Sequence, residues 1–148
     1  MKFVIINGPN LNMLGIREPD KYGTETYQDL VEKIKKHCEQ RQVVCEFYQS
    51  NHEGDLVDRI QQAYFDQADG IVINPAAYTH YSYAILDALK AVDLPAVEVH
   101  LSNIHKREEF RYKSVTAAGC DGQICGLGQF GYVAAMGYLI EKLSSHAD

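Results

Sequence analysis

The sequence predicts an α/β fold in which five parallel strands form one sheet with helices on both faces, giving three layers. Short apolar runs alternate with helical patterns along the chain, which is typical of β-α units. The run 70–73 carries no polar side chain, as expected for a central parallel strand covered on both faces. Because crossovers between parallel strands are right-handed, the commonest strand order for five such units is 2-1-3-4-5, which we expect here.

Length and composition indicate a single domain spanning residues 1–148. The chain is 46% hydrophobic and 23% charged, which is ordinary for a globular protein with a real core. A net charge of -6 without runs of Lys or Arg argues against nucleic acid or an anionic membrane as partner. No apolar stretch approaches the roughly twenty residues of a membrane span, and no signal peptide is visible, so we expect a cytoplasmic protein.

The first two β-α units are predicted from apolar periodicity and helix-start residues. Residues 2–6 form a buried strand, and Thr26 with an acidic residue three positions later starts a helix that ends near Gln40. A second strand is expected over residues 43–48, before a helix that begins near Glu53. The apolar stripe of that helix consists of Leu56, Val57, Ile60, Ala63 and Tyr64.

Three further strands and two helices complete the predicted fold. The strand 70–73 is followed by a helix over about 81–92, and 95–100 is a strand whose proline stands at its entry, where no hydrogen-bond donor is needed. The polar residues 101–111 should form a loop with one or two helical turns. A short fifth strand at 122–125 precedes a closing amphipathic helix. The helix after strand 70–73 buries Ile85, Leu86 and Leu89, and the closing helix carries Tyr132, Val133, Met136, Leu139, Ile140 and Leu143.

A functional loop is predicted between the first strand and the first helix, over residues 7–23. Two prolines and three glycines interrupt every regular period across these seventeen residues. Such a long irregular connection is usually functional or disordered, and its asparagines, arginine and tyrosine are unusual for a linker. We expect residues 7–15 to form a fixed floor that presents Asn10 and Asn12, and residues 16–23 to form a mobile lid.

Polar residues follow the ends of three predicted strands. Ligands of open parallel sheets bind beyond the carboxyl ends of the strands, where the strand order reverses, here between strands 1 and 3. Side chains at these ends should therefore meet at one edge of the sheet and form a single active site. They are Asn7 and Asn10 after the first strand, Asn74 and His80 after the third, and Glu98, His100 and Ser102 at the fourth.

Glu98 and His100 are candidates for acid-base chemistry, because residues two apart on a strand point to the same face. A carboxylate beside an imidazole fixes its tautomer and raises its pKa, which makes a proton donor near neutral pH. A solvated strand end would give the same pair, and His80 could equally be an ordinary loop histidine.

Arg17 and Tyr22 lie five positions apart in the predicted lid. An arginine held within roughly 4–6 Å of a tyrosine lowers its pKa of about 10 by one to three units, provided that a closed lid excludes water. Such a tyrosinate would be a general base. The alternative is a surface ion pair between Arg17 and either Glu18 or Asp20.

Arg107 and Arg111 are one helical turn apart after the fourth strand, so both would face an anionic substrate if that segment is helical. Glu108 and Glu109 could instead occupy them as ion pairs. Ser102 and the backbone donors beside it could bind a small carboxylate.

Several other chemistries lack their sequence patterns. No GxGxxG, Walker or GxSxG motif is present, the first strand does not end in a pair of aspartates, and the loop after it lacks the hydroxyl-rich pattern for a flavin phosphate. The histidines lack zinc-site spacing, so we expect no metal site. No CxxC spacing occurs among Cys38, Cys45, Cys120 and Cys125, so we expect reduced, packed thiols rather than disulfides. With these chemistries set aside, the polar residues at the strand ends favour proton transfer on a small polar anion.

Seven motifs taken together resemble the type II 3-dehydroquinate dehydratases. They are GPNLNMLG at 8–15, RxPxxYG at 17–23, SNxEG at 50–54, NPAAYTH at 74–80, EVHLSN at 98–103, REEFR at 107–111 and GLGxxGY at 126–132. They follow in order and cover essentially the whole chain. The resemblance implies a flavodoxin-like fold without cofactor or metal, and a lyase that reversibly dehydrates 3-dehydroquinate to 3-dehydroshikimate, in aromatic amino-acid biosynthesis or quinate breakdown.

The same resemblance implies catalytic roles. Tyr22 would be the base that removes the C2 proton of the substrate, with Arg17 lowering its pKa and holding the lid closed. The resulting enolate would be stabilised partly by a water near Asn10, and His100, oriented by Glu98, would protonate the departing C1 hydroxyl.

A binding site and an assembly are implied as well. Substrate hydroxyls would be bound by Asn74, His80 and Arg111, the carboxylate by Leu101 and Ser102, and the surroundings of Tyr22 would be supported by Arg107. Asp87 would reach the site of a neighbouring subunit in a trimer, and four trimers would form a dodecamer.

Three alternatives stay open beside this family. The unrelated type I enzymes use a Schiff-base lysine, but Lys90 and the other lysines lie in charged, helix-surface contexts, so such a nucleophile is not indicated. A flavodoxin-like binding module without catalysis would carry bound flavin or would form no enone from dehydroquinate. A purely structural oligomer would leave the converging Asn, His and Arg residues unexplained.

Overall fold

The predicted sheet is present. A computed structural model describes residues 1–146, apart from the side chains of Lys21 and Tyr22. All neighbouring strands pair in parallel, and their order is 2-1-3-4-5, which confirms the predicted topology. The strands are β1 (Lys2–Asn7), β2 (Val44–Gln49), β3 (Gly70–Asn74), β4 (Ala96–His100) and β5 (Gly122–Cys125).

The helices begin at residues that cap them. The side chain of Thr26 accepts a hydrogen bond from the backbone of Asp29, and the Asp29 carboxylate accepts one from the backbone of Thr26, which completes a capping box. The helix predicted from residue 81 starts later, because Ser82 caps it by accepting from the backbone of Ile85 at 3.1 Å. The helices are α1 (Pro19–Tyr22), α2 (Tyr27–Arg41), α3 (Glu53–Phe65), α4 (Tyr83–Val92) and α5 (Phe130–Ser145).

The sheet separates two hydrophobic cores. Phe3 and Ile5 of β1 pack with α2 and α5 on one face, whereas Val4 and Ile6 pack with α3 and α4 on the other. This division follows from the alternation of side chains along a strand. It confirms the predicted arrangement of three layers. Among the described residues, no helix is long and apolar enough to cross a membrane.

Two predicted core positions are wrong. Tyr64 is 56% exposed. It lies at the edge of the α3 stripe, where its ring meets that of Phe65 edge-on. Leu86 is only half-buried, and it packs beside Gly119 in the connection that precedes β5.

Cys38 and Cys45 form a disulfide, so the prediction of four reduced thiols is wrong for this pair. The chain leaves α2 through Gln42 in a left-handed conformation and returns directly into β2. This tight return brings the two Cα atoms to 6.5 Å, within the range that a disulfide spans. Cys120 and Cys125 are free thiols.

The segment 7–23 is less irregular than predicted. It contains a 3-10 turn at Leu11–Met13 and the short helix α1, in which the backbone of Gly23 donates to the carbonyl of Pro19 at 2.8 Å. Its first residues are fixed against the loop after β3. A Cβ on Gly8 would lie 2.5 Å from the carbonyl oxygen of Pro75, so only glycine allows this approach. The two loops therefore form one surface at the point where the strand order reverses.

Candidate active site

One pocket of about 230 Å³ opens at the carboxyl edge of the sheet. The residues that line it follow β1, β3 and β4, the three strands whose ends were predicted to converge. The structure brings nine of the twelve predicted site residues together here. They are Asn10, Arg17, Asn74, His80, His100, Leu101, Ser102, Arg107 and Arg111.

The predicted pair at the end of β4 is joined by a hydrogen bond. His100 donates through Nε2 to Glu98 Oε2 at 2.9 Å, because residues two apart on β4 share a face. Glu98 is fully buried behind His100, whereas His100 reaches the pocket wall. A solvated strand end is therefore excluded, and Nδ1 is the ring nitrogen not engaged with the carboxylate.

The buried carboxylate of Glu98 has further donors that the sequence did not reveal. Its Oε2 accepts from Ser114 at 2.8 Å and from the Gln123 side chain at 2.6 Å. Thr79 donates to the same oxygen at 3.0 Å, and Thr116 donates to Oε1. Of these donors only Gln123 could have been predicted from the sequence. Once the strand order is known, the pairing register of β4 and β5 places Gln123 opposite Glu98.

These contacts decide the ionisation of Glu98. Burial acts to raise the pKa of the carboxyl, but the hydrogen bond and charge of His100 and the hydroxyls of Thr116 and Ser114 outweigh it and lower the pKa. Glu98 is thus an anion behind His100. The anion fixes the tautomer of the imidazole, as the sequence predicted for this pair.

His80 is held in one tautomer too. Its Nδ1 donates to the carbonyl of Lys113 at 2.7 Å. Burial lowers the pKa of His80, the nearby charges of His100 and Arg111 lower it further, and the backbone hydrogen bond opposes them without prevailing. The imidazole is therefore neutral near pH 7, and its Nε2 is an acceptor that suits a hydroxyl group.

Asn74 is fixed by a buried network beneath the pocket. Its Oδ1 accepts from the backbone of Ala76 at 3.0 Å, and its amide nitrogen donates to the hydroxyl of Tyr132 at 3.0 Å. That hydroxyl donates in turn to Asn7 Oδ1 at 2.6 Å. Tyr132 was predicted only as an apolar helix residue, so its role in this network was missed.

The two arginines after β4 both line the pocket, and the segment 101–111 is a loop with two short helical turns, as predicted. Residues 101–111 do not form one helix, and Arg107 lies between the 3-10 turns Ile104–Lys106 and Glu109–Arg111. Glu108 lies between the guanidinium groups, 2.9 Å from Arg111 Nε and 4.0 Å from Arg107 Nε. Arg107 also donates to Ser102 Oγ at 3.5 Å. Both alternatives for the pair therefore hold, since the arginines form ion pairs and still line the pocket.

In the predicted lid, Arg17 lines the pocket and also forms the alternative ion pair, with its Nη2 at 3.1 Å from Glu18 Oε2. Tyr22 ends α1, and its side chain lies outside the described residues, so its predicted pairing with Arg17 lies outside them too. On the predicted floor, Asn10 has a left-handed conformation and lines the pocket. Asn12 instead accepts from the Gln49 side chain at 3.4 Å.

Asp87 lies apart from these residues, on the exposed surface of α4. The pocket itself is lined by three arginines and by three fixed polar groups. These are the imidazole of His100 hydrogen-bonded to Glu98, the neutral imidazole of His80 and the amide of Asn74. Such groups suit a small anion that bears hydroxyls, and they can transfer a proton to it.

Comparisons with known proteins agree with this chemistry. Residues 1–140 match the family model described as Dehydroquinase class II. The 3-dehydroquinate dehydratase of Caldicellulosiruptor bescii is 55% identical over 96% of this chain and 98% of its own. That of Thermotoga neapolitana is 56% identical over 99% of both chains. The crystal structure of type II dehydroquinase from Butyrivibrio crossotus superimposes with a TM-score of 0.93 at 56% identity, covering 94% of this chain and 97% of that one.

Proposed function

The chain belongs to the class II dehydroquinase family, and from that membership we propose that the pocket at the carboxyl edge of its sheet is the active site. The protein is a hydro-lyase, a 3-dehydroquinate dehydratase that forms 3-dehydroshikimate in the shikimate pathway. One observation carries the proposal for the pocket. His100, hydrogen-bonded to the buried Glu98, lines a cavity that three arginines also line.

The first half of the proposed reaction removes a proton from C2 of the substrate. Tyr22 accepts this proton, and the electron pair of the C2–H bond moves towards the C3 carbonyl oxygen to give an enolate. Arg17 favours the ionised form of Tyr22 by its charge, and the presence of Arg17 on the pocket wall supports this role. Asn10, on the same wall, stabilises the enolate through a bound water.

The second half expels the C1 hydroxyl. The enolate electrons return to form the C1–C2 double bond, the C1–O bond breaks, and His100 supplies the proton with which the hydroxyl leaves as water. In this proposal Tyr22 on the lid and His100 on β4 act on opposite faces of the ring. Such an arrangement gives anti elimination. The anionic Glu98 supports the donor role of His100 by holding its Nε2.

Substrate binding is assigned to the polar groups of the walls. Asn74, His80 and Arg111 bind hydroxyls, and the neutral state of His80 supports its role as an acceptor. Leu101 and Ser102 bind the carboxylate through backbone and side-chain donors. Arg107, whose guanidinium reaches Ser102 at 3.5 Å, supports this end of the pocket and the surroundings of Tyr22.

We extend the proposal to the assembly and the place of action. Residues 1–148 form one catalytic domain with residues 16–23 as its lid, in a cytoplasmic enzyme without cofactor. Asp87 completes the site of a neighbouring subunit in a trimer, and four trimers form a dodecamer. The exposure of Asp87 on α4, near the exposed rings of Tyr81 and Tyr83, supports a contact surface there. Sedimentation velocity tests the assembly, and a mass of twelve chains is expected.

The assignment of the pocket is tested by His100→Gln, with His105→Gln as control. His105 is an exposed histidine outside the pocket lining. We expect kcat for enone formation from dehydroquinate to fall by roughly 10²–10⁴ in His100→Gln and to stay unchanged in His105→Gln. An unchanged kcat in His100→Gln would contradict the assignment.

A further inference from the structure

We propose that the hydroxyls of Thr79, Ser114 and Thr116 are positioning residues that hold Glu98 as an oriented anion and so determine which nitrogen of His100 transfers its proton. This inference rests on the proposed role of His100. We call these three residues the hydroxyl cluster. They act through Glu98 and do not line the pocket.

The hydroxyl cluster brings two separate loops of the chain together around the carboxylate of Glu98. Thr79 precedes α4, whereas Ser114 and Thr116 precede β5. Their side chains lie against Glu98 and against one another, with Thr79 Oγ1 at 2.7 Å from Ser114 Oγ and at 2.7 Å from Thr116 Oγ1. Thr79 and Thr116 are both fully buried. These two hydroxyls therefore depend on partners within the protein, whereas Ser114 is half-buried.

A count of protons shows what the cluster does. The three hydroxyls have three protons, which are shared between Glu98 and the two contacts of 2.7 Å among the hydroxyls, and Gln123 and His100 add two further donors on Glu98. A carboxylate accepts about four hydrogen bonds, so these donors occupy most of its acceptor positions. Protonation would turn one carboxyl oxygen from an acceptor into a donor and leave fewer acceptor positions for Gln123 and His100, which both donate to Glu98. The surroundings therefore favour the anion.

The charge of Glu98 determines the tautomer of His100. An anion at 2.9 Å from Nε2 keeps a proton on that nitrogen, so Nδ1 is the nitrogen that gains and loses a proton. If Glu98 lost its charge, both tautomers of His100 would be populated, and only part of the enzyme would be ready to act as acid. The hydroxyl cluster thus influences turnover without touching the substrate.

The other titratable groups near Glu98 are His80, Cys120 and Cys125. Burial lowers the pKa of His80, so it is neutral near pH 7. Burial raises the pKa of the Cys125 thiol to about 11 and raises that of Cys120 still further, so both thiols stay neutral in acid. Tyr22, which must be ionised to act as the base, and His80 also titrate as the pH falls, so the tautomer of His100 is the readout that reports on the hydroxyl cluster itself.

The test compares Thr116→Val with Thr116→Ser. Thr116 is the one described donor to Glu98 Oε1, valine has nearly the same shape without the hydroxyl, and serine keeps the hydroxyl. The control is Ser82→Ala, which removes a buried hydroxyl that caps α4 and has no contact with Glu98. Ser114→Ala gives the same comparison as Thr116→Val if the valine variant does not fold.

Two readouts are needed, the pH dependence of kcat and ¹⁵N spectra of the histidine rings recorded without substrate. We expect Thr116→Val to lower kcat about tenfold across the pH profile and to show mixed tautomers of His100. Thr116→Ser should restore both, and Ser82→Ala should lower the thermal midpoint alone.

A valine variant that lowers the thermal midpoint but leaves kcat and the His100 tautomer unchanged would overturn the inference. The two proposals fail in different ways. A wild-type protein that forms no enone from dehydroquinate would sink the proposed function, whereas the ring spectra, which need no substrate, would still decide the role of the hydroxyl cluster.

Discussion

Asn74 and Tyr132, 58 positions apart in the chain, are joined by a buried hydrogen bond of 3.0 Å between the amide nitrogen and the phenol oxygen. The same phenol donates to Asn7 at 2.6 Å, and Asn7 lies directly opposite Asn74 where β1 and β3 end. Helix α5 thereby fixes both strand ends at the point where the strand order reverses. A helix on one face of the sheet thus holds the side chain of Asn74 from below the pocket wall.

We expect Tyr132→Phe to weaken substrate binding more than turnover. The substitution removes one oxygen and leaves buried groups of Asn7 and Asn74 each short of a partner, at a cost of about 1–3 kcal/mol in the free energy of unfolding. A less fixed Asn74 should raise KM several-fold with a smaller change in kcat. Urea unfolding and steady-state kinetics measure both effects. Tyr138→Phe, which removes an exposed hydroxyl bonded to Asp121, is the control. Wild-type stability and KM in Tyr132→Phe would contradict the role of the network.

Glu98 should make the protein sensitive to acid. The folded state lowers the pKa of this carboxyl below its ordinary value of 4.5, so its contribution to stability is present above that pH and is lost as pH falls through the folded pKa. Glu98→Gln should lower the free energy of unfolding at pH 7 by about 3 kcal/mol and flatten its decline in acid. Urea unfolding between neutral pH and acid tests this.

The control for Glu98→Gln is Glu25→Gln, which alters an exposed carboxylate paired with Lys33 on the surface. Such a pair contributes about 0–1 kcal/mol, so the control should unfold almost like the wild type at every pH. The same steep decline in acid for Glu98→Gln and the wild type would show that Glu98 is not the group that titrates.

Reduction of the Cys38–Cys45 disulfide should destabilise the protein. A bond that closes a loop of seven residues restricts the unfolded chain by about 2–3 kcal/mol at room temperature. Dithiothreitol should therefore lower the unfolding midpoint of the wild type but not that of a Cys38→Ala, Cys45→Ala double variant. Alkylation of the denatured, unreduced protein should label two of the four cysteines by mass spectrometry. Four labelled cysteines would show that the bond does not form.

Arg17→Gln should lower activity while leaving stability almost unchanged. The side chains of Arg17 and Glu18 are 39% and 38% exposed, so loss of their ion pair should change the free energy of unfolding by less than about 1 kcal/mol. If Arg17 favours the ionised form of Tyr22, kcat should nevertheless fall by roughly 10². Arg41→Gln, at the exposed end of α2, is the control for charge removal. A large loss of stability with kcat retained would make Arg17 a structural residue.

Most of the fold could be predicted because its determinants are local. Apolar runs and helical stripes marked all five strands and the four longer helices, and Thr26 signalled the start of α2 by its own side chain. The handedness of crossovers then determined the strand order. The site residues near strand ends were predictable for a related reason, since a parallel sheet brings the carboxyl ends of its strands to one edge.

The parts that could not be predicted depend on contacts between distant residues. Ser114 and Thr116 lie in an irregular segment, and nothing local shows that Glu98 is their partner. Tyr132 has the spacing of a core residue, and its hydroxyl acquires a role only when α5 packs under β1 and β3. Cys38 and Cys45 follow no redox or metal motif, and a tight return from helix to strand brings them together.

Enone formation from dehydroquinate by Tyr22→Phe tests the proposed elimination most directly, because the conjugated product absorbs in the ultraviolet and phenylalanine has no oxygen to accept the C2 proton. We expect kcat to fall by at least about 10³ while the dissociation constant of the substrate, measured by calorimetry, stays within about threefold of the wild type. Turnover near the wild-type rate, or lost binding with normal turnover of what binds, would contradict Tyr22 as the base.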